Sequence, residues 1–205
     1  MAFLDPNKPI ATCAAGTCDD CPVSETLHCH FTRKDLTQFL LMMAPVFAVG
    51  VAGIWAVNAW FLLGWLAFAL GYFLLLEIRV MCSHCPHYAE EGGTLQCWAN
   101  YGAPRLWKYR PGPMSRWETF WFYAGGLVVI AYPLVFLVAG ALWLLMVIFV
   151  LGMVSAGASL QTYLCSQCMY FACPLNRVDE ATRQAFWARN PRVAEAWGVD
   201  RQQGA

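Results

Sequence analysis

Charge is what this sequence has least of, and it is missing in blocks. Of 205 residues only 13% are Asp, Glu, Lys or Arg, against about 25% in soluble domains. No Asp, Glu, Lys, Arg or His occurs between Asp35 and Glu77, or between Glu118 and Arg177. With 59% hydrophobic residues and a mean hydropathy of +0.46, these gaps exclude an ordinary soluble domain. A soluble core of buried helices would need polar faces, and both segments are apolar all round.

A helix rises about 1.5 Å per residue and the hydrocarbon core is about 30 Å thick, so one crossing takes roughly 20 apolar residues. Each gap therefore holds two. The expected spans are 36–57 and 59–78, turning near Asn58, and 119–138 and 141–164, turning near Gly140. The fold class is all-α integral membrane, with four transmembrane helices arranged as two parallel-repeat hairpins. The expected organisation is a Cys/His-rich segment at 1–35, hairpins at 36–78 and 118–164, a basic-aromatic loop with cysteines at 79–117, and a cysteine cluster with an amphipathic tail at 165–205. The first apolar stretch begins late and has no small-residue cleavage pattern before it, so no cleaved secretory signal is expected.

Other absences narrow function. The formal net charge of zero argues against nucleic acid as a partner. No ionisable side chain lies within an expected span except Glu77 at an end, which argues against a proton pump or bis-histidine haem ligation. Neither tight turn carries a basic residue. All 13 Lys and Arg lie with the N-terminal segment, the central loop or the tail. An even number of crossings puts these three on one side. The positive-inside rule makes that side cytosolic, in the inner (cytoplasmic) membrane, with both termini in the cytosol.

What the chain has in abundance is cysteine, and none of it falls inside an expected span. The first cluster is Cys13, Cys18, Cys21 and Cys29, with His28 and His30 beside its last member. The second is Cys82, His84, Cys85 and His87, followed by Cys97, and the third is Cys165, Cys168 and Cys173. In a reducing cytosol, clustered cysteines are metal ligands or catalytic thiols more often than disulfides. Three C-x2-C pairs (18/21, 82/85, 165/168) make metal the stronger reading. The candidate ligands are all ten cysteines and His87. Sequence leaves their grouping open: Cys29 could join the N-terminal set or complete either of the others.

The pairs Cys82-Ser-His-Cys85 and Cys165-Ser-Gln-Cys168 each follow the second helix of a hairpin. This suggests two copies of one unit related by an axis along the membrane normal, with the pairs facing each other. Proline follows Cys21, Cys85 and Cys173, and the C-x4-C-x2-C spacing of Cys13 to Cys21 matches the plant-type ferredoxin run. Iron-sulfur is thus the first candidate cofactor. Zinc is the alternative, because it accepts mixed Cys and His ligands, and metal-free thiol chemistry is a third reading. The functions implied are a membrane iron-sulfur subunit of a larger redox complex, passing electrons between a cytosolic protein partner and membrane quinone, or a zinc-stabilised scaffold or assembly factor. Whether the chain is itself an oxidoreductase stays open.

Two further segments are expected to meet partners. The stretch from Trp98 to Trp117 interleaves basic and aromatic residues, as a belt lying on anionic lipid does. After a capping acid at Asp179, Ala181, Phe186 and Trp187 recur at helical spacing, which suggests a surface helix lying on lipid or docking a soluble subunit.

Overall fold

The computed structural model describes residues 3–199; Arg201, counted above for orientation, lies outside them. Four helices are long and apolar enough to cross a membrane: Arg33–Val57, Ala59–His84, Arg116–Ala139 and Trp143–Leu164. No strand occurs among the described residues, which hold only two isolated bridges, His28 with Cys168 and Thr94 with Pro104.

The helices start and stop for local reasons. Helix α1 (Arg33–Val57) begins three residues before the apolar run because Thr32 caps it. The Thr32 hydroxyl accepts from the backbone of Asp35, whose carboxylate accepts from the Thr32 backbone in return. Such a capping box satisfies amide donors that a helix start leaves orphaned. Helix α4 (Arg116–Ala139) opens with the same device, built from Ser115 and Glu118. At the first turn, Asn58 leaves helical geometry and its side chain accepts from Trp60 of α2 (Ala59–Gly71). At the other, Ala141 takes a positive φ of 51° before α5 (Trp143–Ser159).

The second and fourth spans do not end as regular α-helix. After α2 comes a π turn at Tyr72–Leu76, then α3 (Glu77–Val80) and a tight 3-10 turn at Cys82–His84. This carries helical structure past the expected end at residue 78, to the C-x2-C pair of Cys82 and Cys85. After α5 comes a second π turn at Leu160–Leu164, immediately before Cys165.

Packing within the bundle uses small residues and polar contacts. A Cβ on Gly125 would fall into the Tyr72 ring, and one on Gly53 into the Leu137 side chain. Glycine is required at both crossings for the helices to approach. Pro133 lies within α4 and has no amide proton, which frees the carbonyl four residues earlier. That carbonyl belongs to Val129, and the Trp65 indole donates to it at 3.1 Å. Tyr72 donates to the Phe122 carbonyl at 2.7 Å and Tyr132 to that of Phe61 at 3.1 Å. The outside of the bundle is apolar, with exposed leucine and valine along its length. Trp55, Trp60 and Trp143 are exposed beside the tight turns, and Trp117 and Trp121 at the other end. Aromatic residues at both ends suit the two interfaces of a bilayer.

At the end opposite the tight turns the remaining segments fold together. Ile10, Val23, Leu27 and Phe31 share one core with Met169, Phe171, Phe186 and Trp187. The tail forms α6 (Glu180–Arg189), capped by Asp179 as expected, and α7 (Pro191–Ala196). Its apolar face is not left for lipid: Phe186, 1% exposed, packs into the N-terminal segment. Thr12 donates to the Asn190 side chain at 2.8 Å, and the Ala14 amide to the Arg189 carbonyl at 2.8 Å.

The basic-aromatic loop also turns inward. Trp98 packs on Phe31 and Phe39, and Trp107 on the core around Ile78 and Tyr88. Arg110 donates to the Arg79 carbonyl at 2.6 Å and the Ser83 hydroxyl at 2.9 Å, and pairs with Glu118 at 2.6 Å. Of the segment's tryptophans, Trp117 remains exposed.

Candidate metal centre

The three cysteine clusters of the sequence become two neighbourhoods, both at the lobe end of the bundle. All ten cysteines are free thiols. The first neighbourhood is local in sequence. Cys13, Cys18, Cys21 and Cys29 line one cavity of about 250 Å³, with His28 and His30 at its wall. Cys29 therefore stands with the N-terminal set, which resolves the choice the sequence left open. The segment carrying it is pinned by the His28 amide, which donates to the Gln167 carbonyl at 2.8 Å. His30 is engaged through Nε2 with the Lys8 carbonyl at 2.7 Å.

The second neighbourhood is assembled from distant segments. A cavity of about 80 Å³ is lined by Cys82, Cys85, His87, Cys97, Cys168 and Tyr170. Thiols from the turn after α3, from the central loop and from the segment after α5 thus face one space. Cys165 and Cys173 lie close enough to Cys168 to influence its ionisation.

The surroundings of the sulfurs are specific. Asn100 donates its backbone amide to the Cys97 sulfur at 3.2 Å and its side-chain amide to the Cys82 sulfur at 3.3 Å. Gln161 approaches the Cys165 sulfur at 3.6 Å. Such donors favour thiolate over thiol and, in metal centres, tune the bound metal. His87 is 1% exposed, and neither ring nitrogen makes a hydrogen bond of normal geometry among the described residues, although the Gln96 backbone lies near enough to bear on its ionisation. A buried histidine with two idle nitrogens normally costs free energy, and this one shares its space with Cys82, Cys85, Cys97 and Cys168. His84, the other histidine of that motif, is not free. Its ring faces the Gly112 carbonyl at 3.2 Å and Glu118 at 3.4 Å.

Without a cation, Cys29, Cys85, Cys97 and Cys168 are held as neutral thiols. Burial, then the nearby Cys21, Cys13 and Cys18, pushes Cys29 up to about 12. Burial raises Cys85 well above the ordinary thiol range, with Cys168 the next cause. Cys168 rises to about 12 and Cys97 to about 11, in both cases chiefly by burial. Burial also lowers His87 to about 4, so its ring is neutral at pH 7. Protonated buried thiols are poor nucleophiles, which applies to Cys29, Cys85, Cys97 and Cys168. Among the described residues no three His, Cys, Asp or Glu side chains meet in a ready-made metal-binding group. The thiols share neighbourhoods, and closing a coordination shell would draw them together.

Asn100, Gln161, Tyr170 and Glu77 were not singled out as site residues by their sequence pattern. Glu77 carried a signal as the one acidic or basic residue at a span end, and Tyr170 as an apolar neighbour of the third cysteine cluster. The fold and these two neighbourhoods define a four-span helical protein of membrane type with a cysteine-bearing lobe. No known family, curated protein or solved structure matches the chain in comparison.

Proposed function

We propose that this protein is a membrane-bound iron-sulfur protein that passes electrons between a cytosolic partner and membrane quinone, as a subunit of a larger redox complex. The observation that carries the reading is the convergence of Cys82, Cys85, Cys97 and Cys168, from three separated segments, on one buried space at the foot of the bundle. The larger N-terminal cavity supports a polynuclear cluster there. Its 250 Å³ far exceeds the ~30 Å³ share of one water, whereas a tetrahedral zinc needs thiolates closed around it at about 2.3 Å. Proline after Cys21, Cys85 and Cys173 agrees with iron-sulfur ligation. One observation favours zinc at the second neighbourhood: the idle His87, since mixed Cys and His sets suit that ion.

The two hairpins are read as copies of one unit. Support comes from the capping boxes at Thr32 and Ser115, the π turns late in the second and fourth spans, and the C-S-x-C pair after each. The lobe is assigned to the cytosolic face by the basic residues that surround it. Reporter fusions at Asn58 and Gly140 are expected on the outer face, and fusions at Gly92 and at Gln203, which is outside the described residues, in the cytosol. A cytosolic report from Asn58 would reverse the assignment.

Anaerobically purified protein is expected to contain iron and acid-labile sulfide, with zinc well below one equivalent, and a reducible paramagnetic signal that responds to added quinone. Stoichiometric zinc without sulfide, after strictly anaerobic handling, would leave the scaffold reading in its place.

A further inference from the structure

A half-open cavity of about 320 Å³ lies between α1, the second span, α4 and α5. Its wall is almost wholly apolar, formed by residues such as Phe47, Trp65, Val129 and Phe149, with the Glu77 carboxyl as its one acidic group and the Tyr72 ring beside it. Glu77 is 8% exposed, and its Oε2 has no hydrogen-bond partner among the described residues. A buried polar atom without a partner costs free energy, and an ionisable group at membrane depth is by default functional. The carboxyl also adjoins the second cysteine neighbourhood. The Asn100 side chain that hydrogen-bonds Glu77 is the one that donates to the Cys82 sulfur at 3.3 Å. The π turn at Tyr72–Leu76 directly precedes Glu77, and single π turns inside α-helices recur at functional sites.

We infer that this cavity is a binding site for a quinone, with the ring inside the bundle and one ring oxygen on the Glu77 carboxyl. The size fits: the volume is about twice the ~150 Å³ of an apolar cavity that admits benzene, leaving room for a substituted ring and the start of its tail. The chemistry fits as well. A carboxyl group can donate to a quinone oxygen when protonated and accept from a quinol hydroxyl when ionised, so one side chain serves both redox forms of the ligand. The apolar wall and aromatic rings receive the ring face and tail. The choice of quinone over another ring of this size rests on the proposed electron-carrying role; the site itself rests on the cavity and on Glu77.

The test uses the full chain in lipid nanodiscs and a photoreactive azido derivative of a decyl-benzoquinone, with cross-links mapped to peptides. Iron, sulfide and zinc are assayed on the same samples. Labelling is expected within the second span and α4, and to be displaced by unlabelled decyl-benzoquinone but not by decanol. Glu77→Leu keeps most of the bulk of the side chain, removes both donor and acceptor, and is expected to weaken displacement about tenfold. Gly157 lines the cavity, and a Cβ there meets no heavy atom within 4 Å. Gly157→Phe should fill the space and abolish labelling while the fold is kept. Equal displacement by decanol would show an acyl-chain groove and overturn the inference, as would labelling elsewhere or full affinity in Glu77→Leu. Cluster iron without quinone labelling would remove this site and leave an electron carrier. Labelling in a protein that holds only zinc would support the site and remove the carrier.

Discussion

If the proposed metal binds at the second neighbourhood, Cys85→Ser is expected to weaken its affinity there by at least ten- to a hundredfold. That is the loss usual for removing a mere outer partner of a metal ligand, and a ligand itself contributes more. Cys85 is the position to choose because it shares one space with thiols from two other segments, Cys97 and Cys168. Its loss opens the shell from the side of the first hairpin, and Cys168→Ser opens it from the side of the second. If both thiols serve one metal, the double variant should lose no more than either single one, since residues acting as a unit are not additive. Cys18→Ser, in the N-terminal cavity, should leave this metal in place and remove another. Metal analysis on the four proteins decides the matter. Full metal content in Cys85→Ser, or additive losses from 85 and 168, would mean that the segments do not share a site.

The bundle was legible in the sequence because lipid imposes a simple rule, and the blocks without charge record it. The boundaries moved where chemistry outside hydropathy acts. Thr32 with Asp35, and Ser115 with Glu118, extend two helices into polar residues. The second span runs on to His84 by changing its hydrogen-bond pattern twice. The cysteines were legible as candidates but not as groups. Grouping depends on where Cys29 lies, and that is fixed by a backbone bond from His28 to Gln167, a contact across well over a hundred residues. The tail shows the same limit. Helical spacing announced an amphipathic helix, yet spacing says only that one face is apolar, and the face is covered by the chain's own N-terminal segment. Glu77 was visible as an anomaly, while the cavity that gives it meaning is formed by four helices together.

Phe186→Ala is expected to destabilise the lobe by about 3–5 kcal/mol, the range for truncating a fully buried phenylalanine. Phe186 is at the centre of the core that joins the tail to the cysteine loops, edge-on to Phe171 at 5.1 Å between ring centroids. The lobe has little else to hold it, because its N-terminal part is irregular apart from turns and is tied to α6 by few hydrogen bonds. A loss of this size is comparable to the whole stability of a small domain. It should therefore release the N-terminal segment while leaving the bundle, which packs on separate clusters around Ile54 and Leu137. Hydrogen exchange on detergent-solubilised protein separates the two outcomes. Amides of residues 10–31 and 180–196 should lose protection by two to three orders of magnitude, about tenfold per 1.4 kcal/mol, while α1 and α4 stay protected. Metal bound at the N-terminal cavity should become labile, because Phe186 is part of that cavity's wall and metal affinity is coupled to the folding of the segment that supplies the ligands. Unchanged protection at residues 10–31 would show that the N-terminal segment is held by something other than this core, with bound metal the first candidate. Stripping the metal from Phe186→Ala with a chelator would then be expected to release it.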